Sequence, residues 1–258
     1  MSEQKRNKIV VMNFSGIYTE EEFEEETSWL DVSHIHGANC YCDGEAFGEL
    51  LGCIDGYPAG GIHFIDAGNY HYMSRIWLEK VDEPVTLVVF DNHTDMQPPA
   101  FGGLLSCGGW IAEALTENPW IRKAVLGGPE EEAFAQTEPE LREKVEFLSK
   151  EKLREMSREQ RDEFLKSVTE EGEDARYLSI DKDILCPGEA DTSWSQGETK
   201  LSELLEMVET VLWCGKAAGK TILGVDICGE SEGCAGNNKE ENKKAHRALI
   251  SCLREAGL

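Results

Sequence analysis

Positive charge is scarce in this sequence. Lys and Arg together number 25 against 50 Asp and Glu, a formal net charge of −25. A field of that sign repels nucleic acid and anionic membrane and favours cationic ligands and metal ions. Long apolar runs are missing too. No stretch approaches the roughly 20 residues that a membrane-spanning helix needs. The opening "MSEQKRNKIVV" holds nothing like the apolar core of a signal peptide. Nine cysteines without a secretory signal imply a reducing compartment and free thiols, so a cytoplasmic protein is expected. No Pro/Gly/Ser-rich linker and no internal repeat divides the chain. One domain over residues 1–258 is therefore expected. Histidine is sparse at six residues, and "GGLLSCGG" lacks the Lys-Ser/Thr that a phosphate-binding loop requires.

What is present is an alternation. Hydrophobic residues make up 40% of the chain and charged ones 29%, as in globular proteins. Strands are expected at "KIVVMNF", "GIHFIDA", "VTLVVFD", "KAVLGG", "KVEFLS", "ARYLSID" and "TILGVDI". Helices are expected near 20–30, 70–80, 104–117, 150–168, 198–217 and 238–256, with a densely charged helical segment at about 129–175 around a short strand. Alternation of this kind calls for crossover connections. It predicts an α/β protein, a three-layer α/β/α stack on a mostly parallel central sheet. Ligands of such sheets sit beyond the carboxyl ends of the strands.

Three strand ends carry unusual chemistry. "VTLVVFDNHTDMQ" finishes an apolar run with Asp91, His93 and Asp95, every second residue. Residues i, i+2 and i+4 of an extended segment share a face. "YLSIDKDILCP" repeats the device with Asp181 and Asp183, and Lys182 should point away from them. Carboxylates from two strand ends repel unless a cation lies between them. A pair of divalent ions about 3.5–4 Å apart would neutralise them and could share and deprotonate one water. Carboxylate-rich ligation favours Mn²⁺, with Mg²⁺ the alternative, over Zn²⁺. "HFIDAGNYHYMSRIW" presents His71 after a third strand, a sixth candidate ligand.

These residues resemble the ureohydrolase superfamily of arginase, agmatinase and formimidoylglutamase. The family pattern of Gly-Asp-His, then Asp-x-His-x-Asp, then Ser-x-Asp-x-Asp is matched in order by "GNYHY", "DNHTD" and "SIDKD", the first with one residue inserted. The resemblance spans roughly 65–230 and marks a divergent member. It implies an arginase-like fold and two Mn²⁺ ions per chain. Asp91 and Asp181 would bridge both ions; His71 and Asp95 would complete one, His93 and Asp183 the other. It also implies a bridging hydroxide that attacks a planar, cationic C–N carbon of a small guanidino or formimino substrate. Members are often oligomeric, which leaves a homo-oligomer open.

The departures redirect the expectation. Arginases and agmatinases carry a proton-shuttling histidine after Asp-x-His-x-Asp. Here "PPAFGGLLSCGGWIAEAL" has none, and Ser106 and Cys107 stand in that place, as in the Ser-Ser-Gly segment of formimidoylglutamases. Arginase and agmatinase activity are therefore not expected. A water or Asp95 would have to protonate the leaving amine. Asp226, at the end of "TILGVDI", and Glu230, in "DICGE", are the candidates for holding substrate charge. The family's Asp-Pro after the second acidic pair is replaced by Cys186-Pro187. "DTSWSQGE" should line the pocket, with Trp194 as a wall, and "HIHGANCYCDGEA" reads as a substrate-side loop rather than a zinc site of His34, His36, Cys40 and Cys42. Two other readings compete. One is a non-catalytic metal-binding protein that kept the arginase fold. The other is a metallophosphoesterase, whose Asn-His-Asp/Glu box "DNHTD" superficially shares, but which needs more histidines.

Overall fold

The computed structural model describes residues 9–98, 102–170, 174–217, 219, 222–232 and 239–258. Along the chain the strands are β1 (Ile9–Asn13), β2 (Thr27–Asp31), β3 (Tyr41–Cys42), β4 (Ile62–Phe64), β5 (Val85–Phe90), β6 (Leu105–Ser106), β7 (Ile121–Gly127), β8 (Val145–Leu148), β9 (Ala175–Asp181) and β10 (Ile222–Cys228). The α-helices are α1 (Gly44–Cys53), α2 (Met73–Trp77), α3 (Trp110–Glu117), α4 (Glu131–Ala135), α5 (Pro139–Arg142), α6 (Lys150–Glu155), α7 (Arg158–Glu170), α8 (Leu201–Ala217) and α9 (Glu240–Glu255).

Eight strands form one sheet in the order β2-β1-β4-β10-β9-β5-β7-β8, and its pairings are parallel. Its inner strands bear out the continuous apolar runs. All residues of β5 and β9 are buried, as strands covered on both faces must be. Side chains alternate between two cores. Leu87 and Val89 enter the one built with Leu50 of α1, Trp77 of α2 and Trp110 of α3. Val88 and Phe90 enter the other, with Leu165 of α7, Leu204 of α8 and Leu249 of α9. The result is the expected three-layer α/β/α stack. Among the described residues, no helix is long and apolar enough to cross a membrane.

Three regions differ from the sequence expectation. Residues 20–30 are not a helix: a 3-10 turn at Glu20–Glu22 leads into β2, which pairs parallel with β1 from Ile9↔Thr27 to Asn13↔Asp31. The acid-rich segment has no helical apolar stripe, and its two aromatics, Phe23 and Trp29, meet edge-on with centroids 5.9 Å apart instead. Helix α1 was not expected. Its glycines mask it, because each weakens a helix by about 1 kcal/mol. Asp43 nevertheless caps it, accepting from Glu45 N and Ala46 N. The span 104–117 opens with β6, which pairs antiparallel with β3 through Tyr41↔Ser106 and Cys42↔Leu105, before α3 begins. This small ribbon stands beside the carboxyl ends of the central strands.

Candidate metal centre

Three chain segments meet where β4, β5 and β9 end. Asp91 follows β5 directly, and the register Phe90↔Ile180 sets it beside Asp181, the last residue of β9. Each carboxylate turns back on its own loop. Asp91 Oδ1 accepts from His93 N at 2.6 Å, and Asp181 Oδ1 from Asp183 N at 2.8 Å. After β4, Asp66 takes a left-handed backbone (φ 55°) and accepts from Phe14 N, Ser15 N and Ala67 N. The 3-10 turn Gly68–Tyr70 then delivers His71.

His71 Nδ1 lies 3.2 Å from Asp91 Oδ2, 3.1 Å from Asp95 Oδ2 and 3.5 Å from Asp181 Oδ2. His93 Nδ1 lies 2.8 Å from Asp183 Oδ2 and 3.5 Å from Asp91 Oδ1. His71 is 1% exposed, whereas the His93 side chain is 32% exposed. The site thus has an inner and an outer half joined at Asp91. Among the described residues, two groups of metal-competent side chains converge, each with its ligand atoms within 4.8 Å of one another: His71, Asp91 and Asp181, and Asp91, His93 and Asp183. All six residues expected as ligands line one cavity of about 270 Å³.

The electrostatics of the cluster are those of a cation site. Four carboxylates face two imidazoles. Burial and the charge of Asp91 push Asp95 up to about 6 and Asp183 up to about 7. Burial, Asp183 and Asp91 raise Asp181 well above the usual carboxylate range. Burial opposes the His93 imidazolium, but Asp183 and Asp91 outweigh it and push its pKa up to about 12. His71 Nδ1 and Asp91 Oδ2 are buried and make no oriented hydrogen bond, although they stand side by side. Buried polar atoms are rarely left without partners. Two that aim at one point, among carboxylate oxygens that repel, fit a divalent cation.

Several supports were not assigned a role from the sequence. Ser179, the Ser of "SIDKD", meets His71 Nε2 at 2.9 Å and Ser74 Oγ at 3.1 Å. Trp110 Nε1 donates to Asp95 Oδ2 at 2.7 Å, and Asp95 itself sits at φ 46°. Gly229, at φ 94°, leaves room for the cluster: a Cβ there would lie 2.2 Å from Asp181 Oδ1. The Ser179 hint was legible, since i−2 of Asp181 shares its face of the strand.

Asp226 and Glu230 do not meet the cavity, contrary to the expectation that they hold substrate charge. Asp226 lies deeper in β10 and accepts from Tyr177 Oη at 2.7 Å, with His63 Nδ1 at 2.8 Å. Glu230 is fully buried; it pairs with Lys182 and also meets His246 Nε2 at 2.5 Å, Asn242 Nδ2 at 2.7 Å and Tyr18 Oη at 3.1 Å. Past Gly229, at φ 94°, the chain still runs parallel to the segment after β4, with Glu230 bridging Ala67, and the Glu230 side chain joins the buried Lys182 and His246. Lys182 does point away from its acidic neighbours. The cavity wall is built instead by Cys40, Tyr41, Gln97, Ser106, Cys107 and Trp194. Burial and the charge of Asp95 hold the Cys107 thiol protonated far above its ordinary pKa, which does not suit a nucleophile. His34 and His36 are exposed and belong to neither convergent group.

Carboxylates and imidazoles gathered at the carboxyl edge of a parallel α/β/α sheet form a candidate carboxylate-rich metal centre. The chain belongs to the arginase family, whose sequence profile matches residues 58–229. An uncharacterised protein of Thermotoga maritima is 27% identical over 251 residues, covering 95% of this chain and 89% of that one. Among solved structures, formimidoylglutamase from Bacillus subtilis superposes with a TM-score of 0.67 at 16% identity, covering 96% of this chain and 86% of that one. Proclavaminate amidino hydrolase from Streptomyces clavuligerus does so with a TM-score of 0.67 at 13% identity, covering 97% and 91%. At these identities the likeness is one of fold.

Proposed function

We propose that this protein is a cytoplasmic binuclear manganese hydrolase that cleaves a linear C–N bond in a small guanidino or formimino compound. The observation that carries the reading is the pair of triads sharing Asp91, together with membership of the arginase family. Asp91 and Asp181 would be held in common by two ions, His71 and Asp95 would complete the inner position, and His93 and Asp183 the outer one. Mg²⁺ is the alternative metal. The ions would supply Lewis acidity and a water made nucleophilic at neutral pH.

The protein's own groups supply the rest. The acidic cluster draws a cationic head group toward the strand ends. The Trp194 ring, lying edge-on to His93 with centroids 5.7 Å apart, walls one side of the cavity. Ser106 and Cys107 occupy the wall that would otherwise offer a shuttle histidine, so Asp95 or a water is left to protonate the leaving amine. A general acid typically contributes about 10²–10⁴-fold. Arginine and agmatine turnover should accordingly be very slow, and a formimino compound, whose leaving group is easier to expel, should fare better.

The test is a screen of guanidino, formimino and ureido compounds against Mn²⁺-loaded protein, reading urea, formamide and ammonia. Release of formamide or ammonia from a formimino compound supports the reading. Fast arginase activity would refute the redirection away from arginine. With both ions bound and no C–N substrate turned over, the chain would instead be a non-catalytic member of the fold, a reading that the wall without a histidine favours.

A further inference from the structure

A histidine that ligates through one ring nitrogen must keep its proton on the other, and the group that accepts that proton fixes both tautomer and ring plane. The two imidazoles of this site are handled alike. Each turns Nδ1 toward carboxylates and Nε2 toward a serine hydroxyl. For His71 that hydroxyl is Ser179 Oγ, built into β9. For His93 it is Ser195 Oγ at 2.9 Å, which comes from a loop more than a hundred positions away, outside the three ligand-bearing segments.

That loop is pinned to all three segments at once. Trp194 Nε1 donates to Asn69 Oδ1 at 2.8 Å, two residues before His71. Ser195 O accepts from Asn92 Nδ2 at 2.8 Å, next to His93. Gly197 N donates to Asp183 O at 2.6 Å. Three residues within a stretch of four therefore each hold a different ligand-bearing segment. Gln196, between them, donates to Leu185 O at 3.1 Å and Ala190 O at 3.0 Å, which closes the loop on itself.

We infer that Ser195 is the positioning residue for His93, holding its Nδ1 on the outer half of the site, so that occupancy of the outer position depends on this loop while the inner one does not. The inference rests on the binuclear reading above. It assigns Ser195 no contact with substrate and no part in bond breaking. The two halves differ because the inner imidazole is fixed by the sheet, whereas the outer one is half-exposed and fixed by a single loop hydroxyl.

Titration of metal-stripped protein with Mn²⁺, followed by the electron paramagnetic resonance signal of the free ion, resolves the two positions. The wild-type protein should bind two ions. Ser195→Ala should weaken one position about 10–100-fold and leave the other unchanged. Ser195→Thr, which keeps a hydroxyl, should restore it. Nitrogen-15 spectra of the histidines in protein loaded with diamagnetic Mg²⁺ give a second readout: in the wild type His93 should carry its proton on Nε2 alone, and in Ser195→Ala, where the outer position empties first, that preference should be lost while His71 keeps its own. Unchanged affinities in Ser195→Ala would overturn the inference, and so would an equal drop at both positions, since the loop would then act on the whole cluster. A wild-type protein that binds no ion would overturn the binuclear reading along with it. A two-ion wild type with an indifferent Ser195→Ala would overturn only the role of Ser195.

Discussion

Lys182 gives its ammonium to the buried carboxylate of Glu230, while the residues on either side of it, Asp181 and Asp183, face the opposite way into the candidate metal centre. Both partners are fully buried. Removing one member of a buried pair leaves an uncompensated charge and typically costs about 3–5 kcal/mol, whereas replacing both by apolar groups is often neutral. Lys182→Met should therefore lower the urea midpoint strongly, and Lys182→Met with Glu230→Leu should recover much of it. A single variant as stable as wild type would show that the pair does not anchor β9.

The same carboxylate sets an acid limit. Burial opposes the Glu230 charge, but Lys182 and His246 outweigh it and hold the pKa down to about 2, against an ordinary value of 4.5. A group depressed on folding contributes stability that is fully present above the unfolded value and is lost as pH falls toward the folded one. Unfolding free energy should therefore fall between about pH 4.5 and 2, and Glu230→Gln should flatten that part of the profile. Denaturant melts across this range, compared between the two proteins, decide it.

Protons and metal compete for the cluster. Asp95 is raised to about 6 and Asp183 to about 7, and ligands bind metal deprotonated. Mn²⁺ affinity should rise steeply as pH passes through 6 and 7. Flat affinity across that window, measured by calorimetry in buffers of different ionisation enthalpy, would contradict the assignment.

Asp91→Ala and Asp181→Ala should each lose both ions, and His71→Ala should weaken one more than the other. Elemental analysis that finds two ions per chain in either aspartate variant would remove those residues from the shared positions.

Gly229→Ala should act at a distance from any ligand atom of its own. Its Cβ would fall 2.2 Å from Asp181 Oδ1, and the φ of 94° disfavours any side chain. Metal content should drop together with stability; a fully loaded, stable Gly229→Ala protein would mean that Asp181 has other room to move.

Much of this was readable in one dimension, for physical reasons. Strands β5, β9 and β10 are apolar runs buried on both faces, and their ends are marked by side chains that no core would accept. Spacing by two singles out Asp91, His93 and Asp95, although the structure gathers them through a bend after β5, with Asp95 at φ 46°, rather than along an extended strand. The alternation rule fails where the backbone leaves the extended region. The family resemblance offered Glu230 by residue type, and type does not record that Lys182, His246 and Asn242 bury it. It placed Asp226 in the site because strand identity says nothing of depth. The serine that faces His93 lies 102 positions from it, and nothing local records such a contact. Strand β2 was lost among acidic residues that resemble a solvated helix, and α1 behind its glycines.

The strand order has a consequence in time. β10, the last strand among the described residues, lies between β4 and β9. The His71 segment therefore cannot dock beside Asp181 until Ile222–Cys228 has been threaded between two strands made much earlier. Pairings this distant in sequence are slow to form. The inner half of the site is assembled late, by the insertion of a strand that contributes no ligand to it.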